Sequence, residues 1–506
     1  MGESGQRITG SPVFGFLLAT AVSLGIYAVY GFEGWLYRDD AIYLYAGQQF
    51  ADGVAPYISI FDHKTPLTPI LSGLFVSMGR LTGLEDVLAV RAGWWVMSGL
   101  AGGFIYLLGR LLFRNALAGL IGAMAFTGFW SFGREAVSGP RAKTPFVLFE
   151  VAFLYFAARQ RWGWAGFFAA LATWVWQPGV VYVLFALLAP LIIHKEDREK
   201  RFSGLGYAAL GVFIPCLALF GYFLSKGALV ALIDGSVVFN LTYLDRPPFD
   251  WFEHLMAPVA SLFKGYTLMA VPAIMGLLYL LLHGLTVYRH PVHRVQEWSA
   301  WMPLLGTLPF VFLWTFLDFQ GAADLYPFLP YMAIGMAGLF WKLSEGICSL
   351  QGLSGLTPGR VGSAVAVVLA LASVLLYHGT SEDGLKAQRV SAEQVAERFP
   401  GEEQIASIGL PELLVLTKRQ NSNPYGFIIA GIDRKIMAEW PGGISGFIRS
   451  MENSGVEAVG IGPTEGEHKD LLFEHLQRSY KKERFGYFDV YVRTKVADKP
   501  SDPKTN

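Results

Sequence analysis

The stretch "EGWLYRDDAIYLYAGQQFADG", residues 33–53, follows directly on an apolar run, Pro12 to Phe32, that is long enough to cross a bilayer. Asp39 and Asp40 therefore stand at a membrane edge. An isolated anion beside hydrocarbon is costly to desolvate, so the pair either faces water as a helix cap or is held at the rim for chemistry. On the first reading they are the N-cap and first-turn acids of an amphipathic interfacial helix whose C′ residue is Gly53. The second reading requires partners from elsewhere in the chain.

The rest of the sequence has the composition of an integral membrane protein. Of 506 residues, 53% are hydrophobic, 15% aromatic and only 16% charged, and the mean hydropathy is +0.40. Forty basic residues balance forty acidic ones, so no nucleic-acid partner is indicated. Cys216 and Cys348 form no CxxC or Cys/His metal pattern and read as structural. The first apolar run has neither a strongly basic start nor a small-residue cleavage site where it ends, in "YGFEGW", so it reads as retained.

Apolar runs recur at 12–32, 87–109, 115–133, 144–158, 163–176, 179–193, 203–224, 266–288, 299–317, 325–341 and 360–378, which predicts roughly eleven transmembrane helices. A shorter run, 67–83, is interrupted by Arg80 and reads as lying along or dipping into the membrane. One side then collects Arg110, Arg114, Arg159, Arg161, Lys195, Arg198, Arg289 and Lys342 in short loops, which marks it as cytoplasmic. The other side receives the long loops 33–86 and 225–265 and everything after residue 378. The fold class expected is an all-α polytopic membrane domain over 1–378 with a small soluble α/β domain over 379–497. Residues 498–506 are a tail disordered by composition. The N-terminus is expected in the cytoplasm, with the C-terminal domain outside the cell membrane. No fixed-period repeat is visible, nor an inverted pair of broken helices.

Three further segments carry chemistry. "PYISIFDHKTPLTPIL", residues 56–71, brings Asp62, His63 and Lys64 to the same outer side as Asp39; a lysine there either snorkels to headgroups or meets a substrate. "REAVSGPRAKTP", residues 134–145, adds Arg134, Glu135, Arg141 and Lys143 against the positive-inside trend, which suggests anion binding. The loop 225–265 holds Arg246, Phe249, Trp251, Phe252 and His254, either as an aromatic belt or as a cover over substrate. It also contains a glycosylation sequon at Asn240. Glu150, inside a span, reads as paired with a polar group on a neighbouring helix. A carboxylate to take a proton and cations to stabilise a departing phosphate are what transfer from a lipid phosphate requires.

The order "RDDAIYLYAGQQFADG", "FDHKTPL", "GRLLFRNALAGLIGAMAF" and "GREAVSGPRAKTPFVLF" resembles membrane glycosyltransferases of the GT-C fold. Within that fold it is similar to the protein O-mannosyltransferases and aminoarabinose transferases that use polyprenyl-phosphate sugars, and most of all to archaeal dolichyl-phosphate-mannose mannosyltransferases. The resemblance is good over roughly the first 190 residues, architectural through the later helices and weak in the tail. It implies an inverting transfer of a sugar, mannose, from dolichyl or another polyprenyl phosphate to a glycan or protein acceptor at the outer face. Asp39, Asp40 and Tyr43 match the family's acid, second acid and tyrosine, which implies Asp39 as catalytic base and Asp40 as supporting acid. The family's Lys-Pro-Pro-Leu becomes "KTPL", which implies that Lys64 meets the donor phosphate, and Arg134 matches the family's arginine; His63, Arg141 and Lys143 are further cations expected to neutralise a leaving phosphate. Where the family has an acid after the arginine, bases stand in "GPRAKTP", so no cofactor is required and a divalent metal is not supported. The alternative is a transporter or lipid-linked sugar flippase, which would concentrate charged and helix-breaking residues at mid-bilayer.

Overall fold

In hydrocarbon every backbone polar group must be met internally, and accordingly each apolar run of the sequence folds as helix. The computed structural model describes residues 11–244, 251–289, 295–317, 319–350, 356–380, 382–401, 404–429 and 431–494. The first helices are α1 Pro12–Ala28, α2 Arg38–Ala51, α3 Leu67–Thr82, α4 Asp86–Phe113, α5 Ala116–Thr127 and α6 Trp130–Ser138. They are followed by α7 Lys143–Ala158, α8 Trp162–Val175, α9 Val180–Ile193 and α10 Arg198–Ser225. Later apolar helices span Ala270–Arg289, Val295–Leu317, Leu329–Cys348 and Pro358–Gly379.

Among the described residues, four helices are individually long and apolar enough to cross a membrane, and two bent pairs raise that number to six. One of those pairs is α5 and α6, which meet at 72°. The other apolar runs form shorter helices, cut by turns such as the 3-10 turn Gln177–Gly179 between α8 and α9. The segments before α3 and before α7 both reach α2, through Lys64 on Tyr43 and Arg141 on Asp39, and the segment before α3 also meets the turn after α8. Gln177 and Asn240 both donate to the His63 carbonyl there, at 2.8 and 2.7 Å.

α2 holds the first of the site residues, and its surroundings correct one expectation. Residues 40–49 are all buried, so α2 has no water-facing side. It is clamped between α3 and the C-terminal helix Pro411–Thr417. The approach to α3 is close: a Cβ on Gly47 would lie 2.6 Å from that of Ser72. Gly53 ends α2 as expected, at φ 89°, with the Gly53 and Val54 amides each donating 2.9 Å bonds back to Phe50 and Gln49.

The C-terminal part forms a four-stranded sheet in the order β1-β2-β4-β3, with β1 Ile405–Ile408, β2 Ala458–Ile461, β3 Tyr480–Phe485 and β4 Phe488–Arg493. β1 and β2 are parallel and joined through helices; β4 runs antiparallel to both of its neighbours. This unit is fastened to the segment that leads into α2. Gln388 accepts from the Leu36 amide at 2.8 Å and donates to its carbonyl at 2.9 Å, and Arg389 pairs with Glu33 and Glu85. The Phe61 amide donates to the Pro424 carbonyl at 2.7 Å, and the Asn421 amide donates to the Tyr45 hydroxyl at 2.8 Å.

Candidate active site

Asp39 projects from the first turn of α2, where a carboxylate is favoured by the helix dipole. Its Oδ2 lies 3.0 Å from Nη1 of Arg141, in the loop before α7, and its Oδ1 lies 3.7 Å from Nε of Arg38. Burial pushes its carboxyl up, but the charges of Lys64, Arg141, Arg38 and Lys143 outweigh that and hold it below the usual carboxylate range. Asp39 is therefore ionised at neutral pH and remains one-third exposed.

Asp40 is its opposite. The side chain is fully buried, and among the described residues neither oxygen has a hydrogen-bond partner and the nearest cation is Arg141 at 3.9 Å. Burial first, and then the Glu135 charge, push this carboxyl well above its ordinary value. The capping role expected for Asp40 is not what the structure contains, because the N-cap of α2 is Tyr37 and no side chain caps the helix. The reason is position: the carboxylate of Asp40 turns inward, away from the amides at the start of α2.

Lys64 reaches the same site from the segment before α3. Its Nζ donates to the Tyr43 hydroxyl at 2.9 Å and lies 5.4 Å from that ring's centroid. Burial alone would lower its pKa, yet Tyr43, Asp62 and Asp39 raise it, so the ammonium is held charged. The Tyr43 phenol is pushed up to about 12, mainly by burial. Asp62 Oδ1 accepts from the His63 and Lys64 amides at 2.7 and 3.3 Å, and the Tyr57 hydroxyl donates to the Lys64 carbonyl at 2.6 Å, fixing the turn. The Trp94 indole donates to the Arg141 carbonyl at 2.9 Å and so anchors the opposing loop.

No protein-family model matches the sequence, and no curated protein sequence matches it. Among solved structures the chain is similar to ArnT from Cupriavidus metallidurans, both bound to undecaprenyl phosphate (TM-score 0.61, 13% identity) and in the apo state (TM-score 0.62, 15% identity). In each case the likeness covers 95% of this chain and 98% of that one. The fold is that of ArnT. It is a polytopic membrane GT-C fold with a small sheet, as the sequence predicts. The likeness to ArnT also reaches further than the sequence resemblance did, because the C-terminal unit is far larger than the 5% left uncovered.

On this ArnT-like frame the predicted site residues separate into groups. Asp39, Asp40, Tyr43, Lys64 and Arg141 come together. Lys143 is nearby but ion-paired with Asp324 and set 4.5 Å over the Trp176 ring. Arg134 binds Glu135 at 2.8 Å and stacks on Tyr37 and Trp130, so it is built into the wall. His63 faces Asp62 at 3.5 Å. Arg246 lies outside the described residues, as do the side chains of Trp251 and His254. Asn240 is not an open glycan acceptor: its amide nitrogen donates to the carbonyls of His63, Gly235 and Ser236. Glu150 has the expected neighbour, the Tyr182 hydroxyl of α9.

Four residues escaped the sequence reading. Arg38 links Asp39 to the C-terminal unit by donating to the Pro463 carbonyl at 3.0 Å. Glu412, in the helix clamped on α2, is buried, its Oε2 unpartnered among the described residues, and burial pushes its carboxyl up to about 8 while Arg38 and Asp39 act on it. Asp324 counters Lys143 and accepts from the Gln320 and Gly321 amides. Arg91, fully buried in α4, donates to the Phe32 and Trp35 carbonyls that lead into α2. Of these only Arg91 carried a sequence signal, a charge inside an apolar run.

Proposed function

We propose that this protein is a membrane glycosyltransferase that moves a sugar from a polyprenyl phosphate to a hydroxyl of a glycan or protein at the outer face of the cell membrane. The observation that carries the reading is the meeting, on an ArnT-like fold, of one ionised carboxylate with two cations from separate segments, Arg141 and Lys64. The ArnT structure with undecaprenyl phosphate supports a lipid-linked donor. The sequence resemblance points to mannose as the sugar and dolichyl as the lipid.

In this mechanism Asp39 takes the proton of the acceptor hydroxyl as its oxygen attacks the anomeric carbon. The bond to the phosphate oxygen breaks on the opposite face, which inverts the configuration. Lys64 and Arg141 receive the leaving monophosphate through charge-assisted hydrogen bonds, so the transfer is proposed to need no divalent metal. Arg141 has a second effect. While it pairs with Asp39 the carboxylate is a poor base; when a phosphate draws it away, the proton affinity of Asp39 rises. The base is thus armed by donor binding. Glu412 brings the C-terminal unit to the edge of this site, and the cations crowd one end of the bundle rather than mid-bilayer, which favours transfer over transport.

The test is to offer membranes containing the full chain dolichyl-phosphate mannose, undecaprenyl-phosphate sugars and their diphosphate counterparts, and to follow release of lipid phosphate. Release from a monophosphate donor with sugar appearing on a macromolecule is expected. Turnover of diphosphate donors alone, or movement of intact donor across the bilayer, would overturn the reading.

A further inference from the structure

At the end of the bundle opposite Asp39, the turn from α7 into α8 borders an open cavity of about 260 Å³ lined by Tyr155, Phe156, Arg159, Arg161 and Trp164. α7 begins at Lys143, beside the candidate active site, and its 16 residues span about 24 Å, so this cavity sits near the other membrane surface.

The walls are ordered. Phe156 stacks on Trp164 at 5.9 Å and on Phe168 at 5.5 Å, and the Tyr155 hydroxyl accepts from Arg159 at 3.2 Å. Between the two arginines, Gln160 adopts φ 54° and donates to Ser299 Oγ at 3.0 Å, while the Arg161 amide donates to the Phe156 carbonyl at 2.8 Å. Arg159 and Arg161, on either side of this turn, both line the opening. Among the described residues neither has a carboxylate partner, unlike Arg80, Arg134, Arg141 and Arg389. Trp164 is 56% exposed, so the aromatic floor continues into the apolar outer surface of the bundle.

We propose that this cavity binds the phosphate headgroup of an anionic membrane lipid, with Arg159 and Arg161 on the phosphate and Trp164 against the glycerol and upper acyl chain. A planar guanidinium suits a phosphate, two arginines line one cavity, and the exposed Trp164 beside them adjoins the apolar outer surface of the bundle. The site is separate from the candidate active site, and the inference does not depend on the proposed reaction.

The test uses the purified full chain in neutral detergent. Thermal stability and native mass spectra are recorded with dioleoyl phosphatidylglycerol, dioleoyl phosphatidylcholine or inorganic phosphate. Wild type should gain several degrees and retain one or more phosphatidylglycerol molecules, with no comparable gain from the other two probes. Arg159→Gln/Arg161→Gln should lose most of the shift and at least one retained lipid, whereas Lys195→Gln/Arg198→Gln, an exposed pair on the same face, should keep both. Equal phosphatidylglycerol binding by the Arg159/Arg161 variant would overturn the proposal, as would equal loss in the control pair. A shift reproduced by phosphatidylcholine or by inorganic phosphate would also overturn it.

Discussion

Asp39 and Arg141 face each other at 3.0 Å, Oδ2 to Nη1, across the gap between α2 and the loop before α7. This contact ties the proton affinity of the proposed base to the occupancy of the proposed phosphate site. Arg141→Gln removes a charge that holds the Asp39 carboxyl down. The acid limb of the rate–pH profile is therefore expected to move to higher pH, together with a fall in kcat/KM. An unmoved limb would separate Arg141 from the base.

Lys64 donates to Tyr43 and has no role in capping or in a helix, so its replacement should affect donor use before folding. Lys64→Ala is expected to raise the KM for a polyprenyl-phosphate sugar by roughly 10- to 100-fold, the scale of one charge-assisted hydrogen bond, with Lys64→Arg restoring part of it. Unchanged donor dependence in Lys64→Ala at equal protein level would remove Lys64 from the phosphate site.

Glu412 gives a pH dependence of stability whose sign is fixed by burial. Its folded carboxyl titrates near 8 rather than 4.5, so the folded state holds a proton that the unfolded chain gives up. Stability is undiminished below about pH 4.5 and falls as the pH rises from there toward 8. Glu412→Gln should therefore be more heat-stable than wild type at pH 8 and nearly equal to it at pH 4.5. A difference that does not change with pH would contradict the burial of an uncompensated acid.

Gln388 joins the C-terminal unit to Leu36 through two buried backbone bonds. Gln388→Ala leaves both groups unmet, at a cost of about 1–3 kcal/mol each. Because Leu36 leads directly into α2, the variant is expected to lose transfer activity more than it loses the membrane fold. This can be checked by comparing turnover with limited proteolysis of the C-terminal unit.

What could be read in advance follows from how far apart the interacting residues lie in the chain. The apolar runs, the end of α2 at Gly53 and the strands β1, β2 and β4 are local patterns and were legible. β3 was not, because "YKKERF" is an edge strand whose central residues face water and carry charge instead of alternating. Asp39, Lys64 and Arg141 stand out in the sequence as charges at the rim, but their pairing does not. Whether Arg134 and Lys143 were free for a ligand depended on Glu135, the aromatic rings and Asp324. Glu412 had no signal, since nothing in "LPELL" announces that this helix will be clamped against α2. The water-facing side expected for α2 failed for the same reason.

The role of Asp39 as the base of a sugar transfer from a lipid phosphate can be measured in one experiment. It is tested most directly by measuring transfer from dolichyl-phosphate mannose to endogenous acceptor in membranes carrying wild type, Asp39→Asn or Asp40→Asn at equal protein level. Near-complete loss is expected with Asp39→Asn. A smaller loss is expected with Asp40→Asn, because the buried Asp40 carboxyl already favours the neutral form. Wild-type turnover by Asp39→Asn would contradict that role.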